Sequence, residues 1–365
     1  MKQKNSILWA GLAFCLYLLS CNATRSYKEG IVQEEFIFEQ APFPSSHAAT
    51  IVETTNGTLL ASWFGGTYER NPDVCIYVSR YLNGKWTAPK EVANGIVNDT
   101  LRYPTWNPVL FQVPNGDLQL YYKIGERPDN WQGWMKISKD DGLSWSEASS
   151  LPPGFIGPVK NKPVFIDNKI ICPSSSEEHG WRVHFEISDD WGKTWDKVPP
   201  INDGVTLNAI QPSILTYPDG RLQVLCRSKN RAILESWSDD KGKSWSPMQK
   251  TSLPNNNSGT DAVTLSNGDQ VLVYNHVLPP GNKYKGIRTP LNVAVSHNGK
   301  DWYAALVLDS TPEQPENRFS YPAIIQTRDG MIHILYTWKR VKIKHIVVDP
   351  SKMKLTKIEN GIWPG

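Results

Sequence analysis

The sequence predicts an all-β fold, a six-bladed β-propeller filling residues 35–365, on three observations. One short phrase recurs along the chain, a second runs in phase with it, and no convincing amphipathic helical segment interrupts them. The first phrase stands as Ser138-Lys139-Asp140-Asp141-Gly142-Leu143-Ser144-Trp145, as Ser188-Asp189-Asp190-Trp191-Gly192-Lys193-Thr194-Trp195 and as Ser238-Asp239-Asp240-Lys241-Gly242-Lys243-Ser244-Trp245. Degenerate copies end at Trp86 and Trp302, so the closing Trp recurs every 50 to 59 residues. Physically this is a turn: Asp or Asn bonds its own backbone, Gly takes a positive φ, and Trp packs back between blades.

The second phrase is a hairpin. Asn56-Gly57, Asn115-Gly116, Asp167-Asn168, Asp219-Gly220, Asn267-Gly268 and Asp329-Gly330 each separate two apolar, β-rich runs, such as Ile332-His333-Ile334-Leu335-Tyr336. Six such hairpins, five of them followed by a Trp-closed turn, give six blades of about four strands. The sixth blade lacks its Trp turn. It is expected to close with a strand borrowed from a terminus, near Phe36-Ile37-Phe38 or near Ile346-Val347-Val348.

Upstream of the repeats, Lys2 and Lys4 precede an apolar run from Ile7 to Leu19 that ends at Ser20-Cys21. That pattern is expected of a secretory signal over 1–20 with lipidation of Cys21, the only link to a membrane, followed by a polar tether over 21–34. Export to the cell envelope follows from this reading. The remaining thiols, Cys75, Cys172 and Cys226, lie in apolar strand-like runs and predict buried free cysteines. No paired Cys/His spacing suggests a metal, and no cofactor is expected. A net charge of +3 over 365 residues leaves no basic face of the kind nucleic acid requires.

In a propeller the innermost strand of each blade starts near the axis, so the polar residues opening those strands converge. They read His47-Ala48, Asn107-Pro108, Lys162-Pro163, Gln211-Pro212, Asp261-Ala262 and Tyr321-Pro322. A ring of His, Asn, Lys, Gln, Asp and Tyr predicts a ligand funnel.

The Trp-closed phrase is the Asp box, and with six blades the chain resembles the sialidase superfamily over essentially its whole mature length. The resemblance implies a carbohydrate partner and a set of site residues. Asp73, in Asn71-Pro72-Asp73-Val74, matches the family's general acid/base; Tyr321 matches its nucleophile. Arg227 and Arg288 match two of three arginines that hold the substrate carboxylate. Two positions depart. His47 lies where the first-blade Arg motif is expected, and Gln211 replaces the Glu that partners the Tyr.

Two arginine forks still suit an acidic sugar. Gln211 cannot accept a proton, so His47, which ordinarily titrates near neutrality, is the candidate base. Glu177, beside Trp181, is a candidate for the missing carboxylate. Asn107, Lys162, Asp261 and Trp106 are expected to line the substrate. The first functional expectation is an exo-acting glycosidase on a terminal acidic sugar. A lyase using His47 and Tyr321 on a uronate, and a non-catalytic glycan-binding propeller, stay open beside it.

Overall fold

A computed structural model describes residues 27–311 and 318–365. Its sheets form six blades of antiparallel strands. Blade one runs Ser45–Glu53, Leu59–Gly66, Cys75–Leu82 and Lys90–Ala93 from axis to rim. Blade four repeats that order with Ala209–Thr216, Leu222–Ser228, Ala232–Ser238 and Gln249–Pro254. The only helical element among the described residues is one 3-10 turn, Pro350–Lys352, and no described helix is long and apolar enough to cross a membrane. The predicted signal and Cys21 lie outside the described residues.

The inner strands are buried along most of their length, and apolar side chains from adjacent blades fill the wedge between them. One such cluster joins Val271, Val293 and Leu306 of the fifth blade to Ile324, Ile334 and Ile346 of the sixth. The wedge is what the repeated Trp serves. Trp245 of blade four stacks on Phe185 of blade three with centroids 4.4 Å apart, and Trp195 meets Tyr121 of blade two edge-on at 6.2 Å. Trp86 of blade one sets its face against His345 of blade six at 5.2 Å. Each box therefore fastens its blade to the one before it.

Within a box the leading Ser caps the Gly: Gly142, Gly192 and Gly242 donate their backbone N–H to Ser138, Ser188 and Ser238 Oγ at 2.7–2.8 Å. These glycines hold φ of 82°, 90° and 88°, where a side chain would be strained. The box carboxylates of Asp140, Asp190 and Asp240 are held down to about 2, chiefly by hydrogen bonds from Ser144, Thr194 and Ser244. A carboxylate lowered from its ordinary 3.8 contributes fully above that value and loses its contribution as pH falls through about 2. Stability is therefore expected to decline between about pH 4 and 2. Asp240→Ala is expected to cost roughly 1 kcal/mol at neutral pH, as loss of a cap does, and to remove part of that acid slope. Urea unfolding of both proteins across this range checks it; parallel curves would refute it.

The ring closes at the N-terminal side. Ile31–Phe36 pairs with Lys342–Val348 as the outermost strand of blade six. Residues 31–34, expected to belong to a polar tether, are therefore part of that strand. Its alternation of exposed and half-buried residues is that of an edge strand, which reads as polar chain in isolation. Thr356–Lys357, near the C-terminus, extends the outer edge of blade five. Cys75, Cys172 and Cys226 are free and buried.

Candidate active site

Four inner strands open with the same local device. A β-bulge interrupts the pairing after His47, Trp106, Ile210 and Ser320, and the residue inside it takes a positive φ. Those residues are Ala48 (57°), Asn107 (28°), Gln211 (56°) and Tyr321 (56°). Non-glycine residues in this region each cost about 1–3 kcal/mol and persist where the surroundings over-determine them. The bulge turns Gln211 and Tyr321 toward the axis. In blade one the bulge position belongs to Ala48, so His47 enters the funnel from one residue earlier.

Tyr321 is the centre. Arg227 Nη1 donates to its phenol oxygen at 2.6 Å and to Gln211 Oε1 at 3.2 Å, and Arg227 Nε donates to Asn257 Oδ1 at 3.0 Å. Gln211 Nε2 lies 3.4 Å from the same phenol oxygen. The His47 ring packs on the Tyr321 ring with centroids 4.1 Å apart, and the Arg288 guanidinium stands 5.6 Å from that ring. Five residues singled out in the sequence thus meet at one point. Burial draws Arg288 down to about 10, so it stays cationic at neutral pH.

His47, the expected base, is held in its neutral form. Burial, followed by the charges of Arg340, Arg288, Lys160 and Arg227, pushes its imidazole well below the ordinary 6.5. It stays neutral, with Nδ1 2.8 Å from Thr337 Oγ1. Its Nε2 is buried and unpartnered within the protein.

Arg340 was missed in the sequence. It sits at the tip of the hairpin between the second and third strands of blade six, at φ 67°, and its carbonyl accepts from Ser46 N at 2.8 Å. Loops between second and third strands all emerge on the face where inner strands begin, a rule that would have found it. The same rule places Asp73, Glu177, Trp181 and Arg288 on this face. Arg340 Nη2 bonds Glu69 Oε2 at 2.8 Å, a partly exposed pair. Any carboxylate ligand reaching that guanidinium would compete with Glu69, so Glu69→Gln is expected to tighten binding of such a ligand about threefold, the scale of a partly exposed ion pair. Calorimetric titration reads this directly; weaker binding would overturn it.

Lys160 forms the floor. Its Nζ donates to Asn161 Oδ1 (2.8 Å), Thr260 O (2.9 Å) and Pro322 O (2.6 Å), and stands 5.8 Å from the Tyr321 ring. Burial draws it down to about 7, while three acceptors call for the ammonium form, which alone carries three N–H donors.

Other expected lining residues are engaged elsewhere. Lys162 Nζ bonds Asp261 Oδ2 at 3.0 Å, and Asp261 also accepts from Ser213 Oγ and Ile324 N at 3.0 Å. The pair ties blades three to six along the axis. Trp106 is only 2% exposed, donates to Gly125 O, and packs edge-on against Phe64 and Trp131, so it is core and no stacking platform. Asn107 holds the bulge of blade two. Asp73 lies on the face but accepts from Thr67 N at 3.1 Å and from Thr67 Oγ1, its own loop. Glu177 Oε2 accepts from Trp181 Nε1 at 2.8 Å, and Trp181 in turn lies 4.9 Å from the Arg227 guanidinium. Burial raises the Glu177 carboxyl above its ordinary range. Among the described residues, no group of His, Cys, Asp and Glu is arranged to hold a metal.

The sequence profile of the BNR repeat-like domain matches residues 57–334, across the Asp boxes and most of the blades described above. The chain belongs to the BNR repeat-like family. No curated protein matches it, but solved structures share the fold of this BNR-repeat propeller. The intramolecular trans-sialidase from Ruminococcus gnavus, in complex with oseltamivir carboxylate, is 14% identical with a TM-score of 0.68, over 90% of this chain and 99% of that one. NanB sialidase from Streptococcus pneumoniae is 14% identical with a TM-score of 0.66, over 88% and 71%. A Penicillium chrysogenum α-L-arabinanase complexed with arabinobiose is 17% identical with a TM-score of 0.67, over 89% and 99%. The resemblance to sialidases thus holds at the level of the fold, and the family shown is that of the BNR repeat.

Proposed function

We propose that this BNR-repeat propeller cleaves a glycosidic bond next to a terminal carboxylate-bearing sugar, as a hydrolase. One observation carries the reading: a phenol oxygen at the base of the funnel accepts from Arg227 at 2.6 Å, with Arg288 at 5.6 Å from its ring and Arg340 close enough to act on Arg288 and His47. Three guanidinium groups converging in a largely buried site suit a planar anion. The trans-sialidase and sialidase that share the fold add support by likeness.

In this reading the sugar carboxylate lies on the arginines and Tyr321 Oη attacks the anomeric carbon as the glycosidic C–O bond breaks. Asp73, released from Thr67, passes a proton taken from solvent to the leaving oxygen; water then attacks the anomeric carbon, gives its proton to the same carboxylate, and the Tyr321–sugar bond breaks to return the phenol oxygen, which regains its proton from solvent. Gln211 cannot take the phenol proton, which passes to solvent. Arg227 compensates the charge developing on the oxygen. A neutral His47 is a weak base, which favours hydrolysis over elimination. Export with a lipid on Cys21 belongs to the same proposal.

The test incubates the protein with sialosides and uronate oligosaccharides and follows both reducing ends and unsaturated-uronate absorbance. A released acidic sugar without unsaturation supports hydrolysis. Unsaturated product would establish elimination instead, and no turnover on any glycan would leave a binding protein.

A further inference from the structure

We propose that the cleft between blades two and three is a second sugar subsite, taking a carboxylate-free sugar joined to the acidic one in the funnel. The inference rests on the function proposed above and names the other half of its substrate. A cavity of about 440 Å³ opens there, of the size of small-molecule sites, roughly 300–1,000 Å³. Trp131, half-buried, gives it an aromatic face, which suits the C–H face of a pyranose. Asp129, Glu177 and Glu178 give it carboxylates for hydroxyl groups. Its one lysine, Lys197, is drawn to the buried Glu186 at 3.7 Å and lies over the Phe155 ring.

A chain of side-chain contacts ties the cleft wall to the funnel. Glu177 on the cleft wall bonds Trp181, Trp181 covers Arg227, and Arg227 bonds Tyr321. Charge changes sign along this path, from arginines and Lys160 in the funnel to three carboxylates in the cleft. A glycan with an acidic sugar followed by a neutral or amino sugar matches both ends. One with two consecutive acidic sugars is repelled at the second.

The experiment uses the whole chain and two probes differing only at C6, methyl galactoside and methyl galacturonide, with binding read by saturation-transfer NMR. Methyl galactoside is expected to bind, and Trp131→Ala to weaken it at least fivefold while methyl galacturonide is unaffected. Glu178→Lys changes an exposed residue, leaves the fold intact, and is expected to admit methyl galacturonide to the cleft as a second binding event. Absent methyl galactoside binding, or binding that Trp131→Ala leaves unchanged, overturns the subsite; no second event in Glu178→Lys overturns its charge selectivity. Methyl galacturonide binding that Arg227→Met does not weaken would instead count against the funnel reading and leave the cleft standing.

Discussion

Tyr321→Phe is expected to lower kcat by roughly three to four orders of magnitude, the scale on which removal of a nucleophile acts, with ligand affinity nearly unchanged. The ring survives the substitution, so its packing on His47 at 4.1 Å survives with it. What is lost is the one oxygen that Arg227 and Gln211 both approach. Arg227 keeps Gln211 Oε1 and Asn257 Oδ1 as acceptors, so its guanidinium stays in place to hold a carboxylate. Turnover and calorimetric affinity measured on the same preparation separate the two effects. Turnover within tenfold of the parent protein would remove Tyr321 from the chemistry.

The second large effect belongs to Arg227. Arg227→Met keeps the bulk against Trp181 but removes the charge and every donor. Acidic-sugar affinity is expected to fall a hundredfold or more, about 3 kcal/mol, because a buried charged donor pair is lost from the ligand. Arg227→Lys is expected to recover only part of it, since an ammonium cannot reach Tyr321, Gln211 and Asn257 as the fork does. Equal affinities of the Lys variant and the parent would show that charge alone suffices there.

The blades, Gln211 and Tyr321 were legible because each is written locally, whereas Arg227 was found only through its match to a family position. An Asp box needs its Ser, Asp, Gly and Trp at fixed offsets, and Gln211-Pro212 and Tyr321-Pro322 stand in the same relation to their hairpin glycines. Arg340 left no comparable mark: its hairpin carries no repeated phrase, and its partner Glu69 is 271 residues away. The state of His47 was also out of reach, since it is set by burial and by cations from four blades. Lys162 and Asp261 occupy inner-strand openings, yet they find each other across the axis, a pairing that no spacing announces. Trp106 had the position of a platform but the exposure of a core residue.

The strand Ile31–Phe36 has a consequence for handling the protein. Trimming the chain to begin after Phe36 would leave the backbone of Lys342–Val348 as a naked sheet edge, and Trp86 would lose Glu35 as its hydrogen-bond acceptor. Such an edge, with the apolar run Ile346-Val347-Val348 within it, recruits strands from other molecules. A shortened chain would therefore be lost to self-association well before any defect in its arginines could be measured.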